Sequence, residues 1–163
     1  MIAEYEAPMR SPSLDSPRQY GLSQGHKHLP EMQRVPGLKT PPLFAPVVAD
    51  YYSGMEVTIP LFRSQLRCGA HPMHEVTECL RAHYAGSPVV HVASEENAAA
   101  MNGFIPAGEL SGRDDMLLMV LGNDERLQLV SLFDNLGKGS SGAAVQCLNL
   151  MLGLRETDGL VLA

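Results

Sequence analysis

Proline is concentrated at the start of this chain. Seven of its 12 prolines fall within the first 42 residues, at positions 8, 12, 17, 30, 36, 41 and 42. Each proline removes a backbone donor and disfavours helix at the residue before it. A long segment of this kind inside a compact domain is usually functional or disordered. We therefore expect residues 1–42 to be irregular, apart from the end of a helix at 2–7.

From residue 44 onward the pattern predicts regular structure. β-Branched and aromatic residues across 44–62 indicate one long strand, or two strands joined at Ser53 and Gly54. Apolar residues at helical spacing follow Pro72, and the turn residues 122–125 separate two apolar runs. The predicted elements are strands at 44–62, 89–92, 115–122 and 126–133, helices at 72–86 and 144–152, and a loop at 94–112.

Composition and charge exclude several classes of protein. The chain has 163 residues, of which 45% are hydrophobic and 18% charged, as in one folded domain with a real core. Its net charge of -6 argues against non-specific nucleic-acid binding. No apolar run approaches the roughly 18 residues of a membrane span. The first residues lack the order of a signal peptide, and three scattered cysteines suit reduced thiols, so we expect a cytoplasmic protein.

The segment Tyr20–Glu31 concentrates titratable side chains. His26 and His28 lie two residues apart, and a carboxylate such as Glu31 can orient an imidazole for acid–base chemistry. The same pair with Glu31 could hold a metal, although no third firm ligand follows, or could be structural. Arg18 could fork onto a carboxylate or phosphate, or could be a solvated loop cation. We expect acid–base or substrate-binding work here, in half of an active site.

A second candidate site is the glycine-rich turn Gly137–Gly142. It reads G-x-G-x-x-G between a predicted strand and a predicted helix, as in dinucleotide-binding folds. Too few residues follow it for the rest of that βαβ unit. Unpaired N–H groups at a helix start, together with Lys138, would attract a phosphate or carboxylate. The alternative, an ordinary glycine-rich turn with serine capping, stays open.

Together the two segments resemble the N-acetyl-gamma-glutamyl-phosphate reductase family. The run His26-Lys27-His28-Leu29-Pro30-Glu31 resembles its H-[RK]-H-x-P-E segment. The run from Asp134 to Leu160 resembles its C-terminal K-G-x-x-G-x-A-V-Q-x-x-N-x-x-x-G-x-x-E-x-x-G-L pattern. Residues 49–62 are also similar to the family's shorter form, so the resemblance covers nearly the whole chain.

The resemblance implies a fold and an activity. It implies an α/β (α+β) fold with a largely antiparallel mixed sheet and helices packed on one face, like the C-terminal domain of glyceraldehyde-3-phosphate dehydrogenase. It implies NADPH-dependent reduction of N-acetyl-glutamyl phosphate to the semialdehyde in arginine biosynthesis, by a homo-oligomer. The family's Rossmann domain and its Pro-Gly-Cys segment with the catalytic cysteine are not recognisable here, so we expect a C-terminal half that is inactive alone.

The resemblance also assigns residues and domains. It implies His26 as the catalytic proton carrier, and Arg18, Tyr20, His28 and Glu31 as substrate-binding residues. It implies cofactor contacts from Asn135, Lys138, Gly139 and Gly142, and no metal. It divides the chain into a substrate and oligomerisation domain at 1–133 and a turn and helix at 134–163 that pack on the Rossmann half. The alternatives are a non-catalytic binding or assembly module, one half of a split enzyme, and a metal-dependent hydrolase.

Overall fold

The structure is a computed structural model that describes residues 2–99, 101 and 103–162. The chain forms two compact units, Met1–Tyr51 and Tyr52–Ala163. None of the helices in the described part of the chain is long and apolar enough to cross a membrane.

The first unit is built from short elements, as its prolines predict. In chain order these are helix α1 at Ile2–Tyr5, a 3-10 turn at Pro12–Asp15, strand β1 at Arg18–Gln19, helix α2 at Leu29–Arg34 and strand β2 at Val47–Val48. Strands β1 and β2 pair antiparallel, with Arg18 opposite Val48. The Tyr20 N–H donates to Pro46 O at 3.0 Å and extends the ladder by one bond. Pro46 then ends the ladder, because proline has no N–H to return.

The second unit holds a four-stranded sheet. Its elements are strand β3 at Met55–Phe62, a 3-10 turn at Arg63–Gln65, helix α3 at Pro72–His83, strand β4 at Val90–Val92, helix α4 at Glu95–Ala99, strands β5 at Met116–Asn123 and β6 at Arg126–Phe133, a π-helical turn at Gly137–Ser141 and helix α5 at Gly142–Leu152. The strand order is β3-β6-β5-β4. Only the β4–β5 pair is parallel. The predicted largely antiparallel mixed sheet with helices is confirmed.

The core lies against one face of β5 and β6. Register places Met119 opposite Val130 and Leu117 opposite Leu132, so these side chains share a face of the sheet. Met119, Val130 and Leu132 are at most 2% exposed and pack on Leu110. Burying a side chain of this size contributes about 1.5–3 kcal/mol, so this layer is the main support of the second unit.

Residues 44–62 form the second of the two predicted alternatives, since they contain two strands, β2 and β3, which lie in different sheets. One prediction needs correction. The loop predicted at 94–112 contains α4, whose start is marked by Ser94, since its Oγ accepts the Asn97 N–H at 3.0 Å. Serine followed by two glutamates is an N-cap signal that the glycine- and asparagine-rich context obscured.

Helix α5 begins and ends as its sequence suggests. Its C-terminus is closed by Gly153, which adopts the left-handed conformation at φ 68°. The Leu154 N–H then folds back onto Asn149 O at 2.9 Å. Residues 134–162 lie within the second unit, so the structure itself draws no boundary at 133/134.

Candidate active site

His26 lies on the loop between β1 and α2, and its ring is held by the backbone beside it. The His28 N–H donates to His26 Nδ1 at 3.3 Å. An imidazole nitrogen that accepts a hydrogen bond carries no proton, so neutral His26 carries its proton on Nε2. Across the described residues, no protein group is hydrogen-bonded to Nε2. His26 can therefore exchange a proton with a ligand at Nε2.

Three rings surround the His26 imidazole. The ring centroid of His28 is 4.8 Å away, that of Phe44 4.9 Å and that of Tyr20 5.7 Å. His26 is half-buried among them, while His28 and Tyr20 lie at the surface. The structure therefore brings together three of the predicted site residues, Tyr20, His26 and His28, and adds Phe44, which the sequence did not suggest.

Glu31 does not orient either imidazole, contrary to expectation. It lies in the first turn of α2 with its side chain exposed, and neither His26 nor His28 is hydrogen-bonded to its carboxylate. The buried residue at the start of α2 is Leu29, which is only 7% exposed. Over the described ranges, no three His, Cys, Asp or Glu side chains converge as metal ligands. The residues of Tyr20–Glu31 thus form an imidazole site without a carboxylate partner.

Arg18 lies on β1 in the same unit and contacts the N-terminal helix. Its guanidinium group donates to the Tyr5 hydroxyl at 3.3 Å, stacks 5.3 Å from the centre of that ring, and lies 3.6 Å from Glu4. Its Nε is buried and has no hydrogen-bond partner. A buried donor left unpaired costs about 1–3 kcal/mol, and because this atom is enclosed by the protein it is not accessible to an anion in this conformation.

In the second unit, Asp134 organises the turn that follows β6. Its carboxylate accepts from the Ser53 hydroxyl at 2.9 Å and from the Leu136 N–H at 2.7 Å, and also from the Gly112 and Gly137 N–H groups. Burial by itself would raise the Asp134 pKa, but these donors outweigh it and hold the pKa below its usual value. Asp134 is therefore a charged structural centre that the sequence did not single out.

The four predicted cofactor residues are used by the fold. Asn135 Oδ1 accepts the Gly54 N–H at 2.8 Å, and Lys138 Nζ donates to Gln146 Oε1. The Gly139 N–H donates to Asp134 O at 2.8 Å. At Gly142 a side chain has no room, because a Cβ would lie 2.1 Å from Asp114 Oδ1.

The turn therefore does not fit the anion site expected of it. The N–H groups of Gly137, Gly139, Ser141 and Gly142 all donate to acceptors within the chain. The Lys138 ammonium group also donates within the chain, so none of these donors is available to a phosphate. The reading that the structure favours is a glycine-rich turn built by its own hydrogen bonds.

A buried charge lies at the start of β5. Asp115 is fully buried and accepts from Arg113 Nε at 2.8 Å, while His91 Nε2 lies 3.2 Å from its carboxylate. Burial by itself would raise the Asp115 pKa, but the Arg113 guanidinium outweighs it and holds the pKa below its usual value. In sequence, Asp115 is only the polar first residue of an apolar run, so its partner on β4 could not be foreseen.

Comparison with known proteins places the chain in a family. The family model described as semialdehyde dehydrogenase, dimerisation domain, matches residues 6–135. Relatives from Brucella ovis, Brucella canis and Brucella melitensis, each named N-acetyl-gamma-glutamyl-phosphate reductase, are 46% identical over 136 residues, which cover 82% of this chain and 43% of each relative. The chain thus spans less than half the length of these relatives. It belongs to the semialdehyde dehydrogenase family, whose dimerisation domain it contains.

Proposed function

We propose that this chain is the substrate-side part of an NADPH-dependent N-acetyl-gamma-glutamyl-phosphate reductase of arginine biosynthesis. The observation that carries the proposal is His26, whose Nδ1 accepts from the His28 backbone and whose Nε2 has no hydrogen-bond partner within the described part of the chain. The names of the Brucella relatives supply the reaction. The His26 imidazole is half-buried among aromatic side chains, and this environment suits a proton carrier.

The chemistry proposed for this chain concerns protons and substrate charge. Attack of a thiol on the acyl phosphate forms a thioester, breaks the bond to phosphate and releases the thiol proton. Hydride transfer to the thioester then leaves an oxyanion, which is protonated and loses that proton again when the C–S bond breaks to release the aldehyde. His26 Nε2 accepts the thiol proton, protonates the oxyanion and takes the proton back as the C–S bond breaks. Arg18, whose side chain is 32% exposed, binds the anionic end of the substrate through its guanidinium group, and Tyr20 and His28 line the site. NADPH is the proposed hydride donor, and no contact to it is assigned to the turn 137–142.

The proposal requires a second half of the enzyme, which carries the attacking thiol and binds NADPH. The relatives are more than twice as long as the matched segment, since it covers only 43% of each. In the second unit, α5 and the residues after it expose large apolar side chains, among them Met151 at 83% and Leu152 at 63%. An exposed apolar surface of this kind marks a protein contact. We propose that residues 134–163 pack through this surface on the Rossmann half.

Reconstitution tests this function directly. The chain alone should not oxidise NADPH with N-acetyl-glutamyl phosphate, whereas the chain fused to the N-terminal half of the Brucella ovis relative should. In the fusion, His26→Asn should lower kcat about 10²–10⁴-fold, the range for loss of a general acid–base. His83→Asn, at the exposed end of α3, is the matched control and should keep full activity. Turnover by the chain alone, or a native kcat in the His26→Asn fusion, would contradict the proposal.

We also propose that the chain forms a homodimer through the free edge of β3. Strand β3 is an edge of the sheet, and the Arg63 N–H that follows it donates inward to Glu125 O at 3.0 Å. Alternation along the strand therefore points the backbone groups of even-numbered residues outward. Pro60 has no N–H, and the Phe62 N–H is taken by Gln65 at 2.7 Å. The outward donors that remain are those of Glu56 and Thr58.

These two donors define a symmetric pairing with a second copy. A two-fold axis through Val57 sets Glu56 of one chain opposite Thr58 of the other, so that each pair exchanges two backbone hydrogen bonds. On one face the pairing joins the exposed apolar side chains of Met55 and Ile59 from both copies. An unpaired edge is a template for another strand, and Pro60 limits this template to one short segment.

The oligomeric state of two variants tests this interface. Thr58→Pro removes one outward N–H without touching the bonds to β6, and it should give a monomer in light scattering after gel filtration. Thr58→Ala keeps the N–H and should remain a dimer. A dimer that persists in Thr58→Pro would exclude the β3 edge as the dimer interface.

A further inference from the structure

Gln24 has an unusual backbone for its residue type. It adopts φ 56°, and no other described residue except glycine has a positive φ. Such a conformation costs about 1–2 kcal/mol for a residue with a Cβ, so something must hold it. The Gln24 N–H donates to Gly21 O at 3.0 Å and closes a tight turn in the loop before His26.

The Gln24 side chain replaces a missing strand partner. Its Nε2 donates to Phe44 O at 2.7 Å, and its Oε1 accepts the Phe44 N–H at 2.9 Å. The β1–β2 ladder has stopped at Pro46, which leaves the backbone of Phe44 without a partner strand. A primary amide offers one donor and one acceptor side by side, as a strand backbone does. Gln24 therefore fixes the backbone of Phe44 across twenty residues of sequence.

Phe44 passes this constraint to His26. The two ring centroids are 4.9 Å apart with the planes tilted by 55°, which is an ordinary packing geometry for aromatic rings. His26 is thus restrained from two sides, by the Phe44 ring and by the His28 N–H on Nδ1. Without Phe44 in place, the half-buried imidazole has room to rotate away from the His28 amide.

We propose that Gln24 is a positioning residue: its amide holds Phe44 so that the His26 imidazole keeps Nδ1 on the His28 backbone and Nε2 directed to the ligand. The consequence for catalysis rests on the proposed function of His26, whereas the positioning itself does not. The left-handed backbone of Gln24 is what aims the amide at Phe44, which accounts for a strained residue at an exposed site.

Gln24→Gly separates positioning from folding. Glycine relieves the left-handed strain while it deletes the amide, so relief of strain offsets part of the stability lost with the two hydrogen bonds. Gln24→Asn tolerates the same backbone, but its amide is one methylene too short to reach Phe44. Gln33→Ala is the matched control, since Gln33 Nε2 also donates to a loop carbonyl, that of Lys39 at 3.3 Å.

NMR on the full 163-residue chain is the first measurement. Gln24→Gly and Gln24→Asn should lose the cross-peaks between the Phe44 and His26 rings and should exchange the His28 amide proton faster. Gln33→Ala should change neither signal. Native cross-peaks and native His28 amide protection in Gln24→Gly would overturn the proposal.

Kinetics on the fused enzyme distinguish this proposal from the function. Gln24→Gly should lower kcat on the order of tenfold or more and leave KM nearly unchanged, since misplacing a catalytic group by a fraction of an ångström acts on the chemical step. If the NMR changes occur and kcat is unaffected, Gln24 still positions His26, and the catalytic role of His26 is overturned. Unchanged NMR signals overturn the positioning role whatever the value of kcat.

Discussion

The ammonium group of Lys138 donates to the side-chain carbonyl of Gln146, two turns further along the chain. The Gln146 amide donates in turn to Glu156 Oε1 at 2.7 Å. Asn149 completes the network, because its Nδ2 donates to the backbone oxygens of Glu156 and Asp158 at 3.2 and 2.8 Å. The polar residues of the long C-terminal motif therefore fasten the last residues of the chain to α5.

Loss of Lys138 should cost stability and no anion binding. Lys138→Met and Gln146→Leu should each lower the free energy of unfolding by about 1–2 kcal/mol, and the double variant by less than the sum, because both single variants remove the same Lys138–Gln146 contact. Urea denaturation measures all three. Lys39→Met, with an exposed side chain, should stay within about 0.5 kcal/mol of the native value. If inorganic phosphate stabilised the native chain but not Lys138→Met, the turn would be an anion site and this prediction would be wrong.

Gly142 should not tolerate a side chain. An alanine Cβ at this position would lie 2.1 Å from Asp114 Oδ1, and Asp114 is itself tied to Val161 through its N–H and its carboxylate. Gly142→Ala should therefore lower the free energy of unfolding by about 1–3 kcal/mol, as overpacking does. Gly108→Ala is the control, because its Cβ would meet nothing closer than Ser53 O at 3.6 Å. Equal melting temperatures for the two variants would refute the predicted clash.

The Asp134 carboxylate should account for part of the acid sensitivity of the protein. Its pKa in the folded state lies below the ordinary value of 3.8, because the surrounding donors outweigh the effect of burial. A depressed pKa stabilises the folded state fully above the unfolded pKa, and this contribution is lost as pH falls through the folded pKa. Asp134→Asn should thus be less stable near neutral pH by about 1–3 kcal/mol. The substitution replaces one acceptor oxygen with an amide NH₂ group, which would face the hydroxyl and N–H donors around it.

A pH series checks this prediction. The stability difference between the native chain and Asp134→Asn, from urea denaturation, should be largest above about pH 5 and should shrink below about pH 4. A difference that is constant across this range would mean that the carboxylate charge contributes nothing.

The Asp115 cluster should matter more than the ion pairs at the surface. Asp115→Asn weakens the acceptor for Arg113 and His91, whose side chains are only 32% and 44% exposed. Partial exposure of both partners moderates the effect, so we expect a loss of about 1–3 kcal/mol in the free energy of unfolding. Asp158→Asn, in the exposed pair with Arg155, should cost about 0.2–1 kcal/mol. Similar losses in the two variants would show that burial of Asp115 adds nothing.

Local pattern was sufficient for most elements of the second unit. Two apolar runs predict β5 and β6, the turn residues between them predict a hairpin, and Pro72 marks the start of α3. These features depend on neighbours within a few residues, which sequence displays directly. The resemblance to a family predicted a largely antiparallel mixed sheet. The strand order and the parallel β4–β5 pair depend on residues far apart in the chain, and only the structure decided them.

The candidate site divides in the same way. By itself the sequence determined that Tyr20–Glu31 concentrates titratable side chains and that Gly137–Gly142 forms a tight turn into a helix, because both depend on residue type and short spacing. The tertiary structure alone decided which groups remain free. Glu31 is not hydrogen-bonded to either imidazole, the His28 amide sets the tautomer of His26, and the donors of the turn meet partners within the chain. Hydrogen bonds such as that between Gln24 and Phe44 join atoms brought together only by folding, so no local pattern records them.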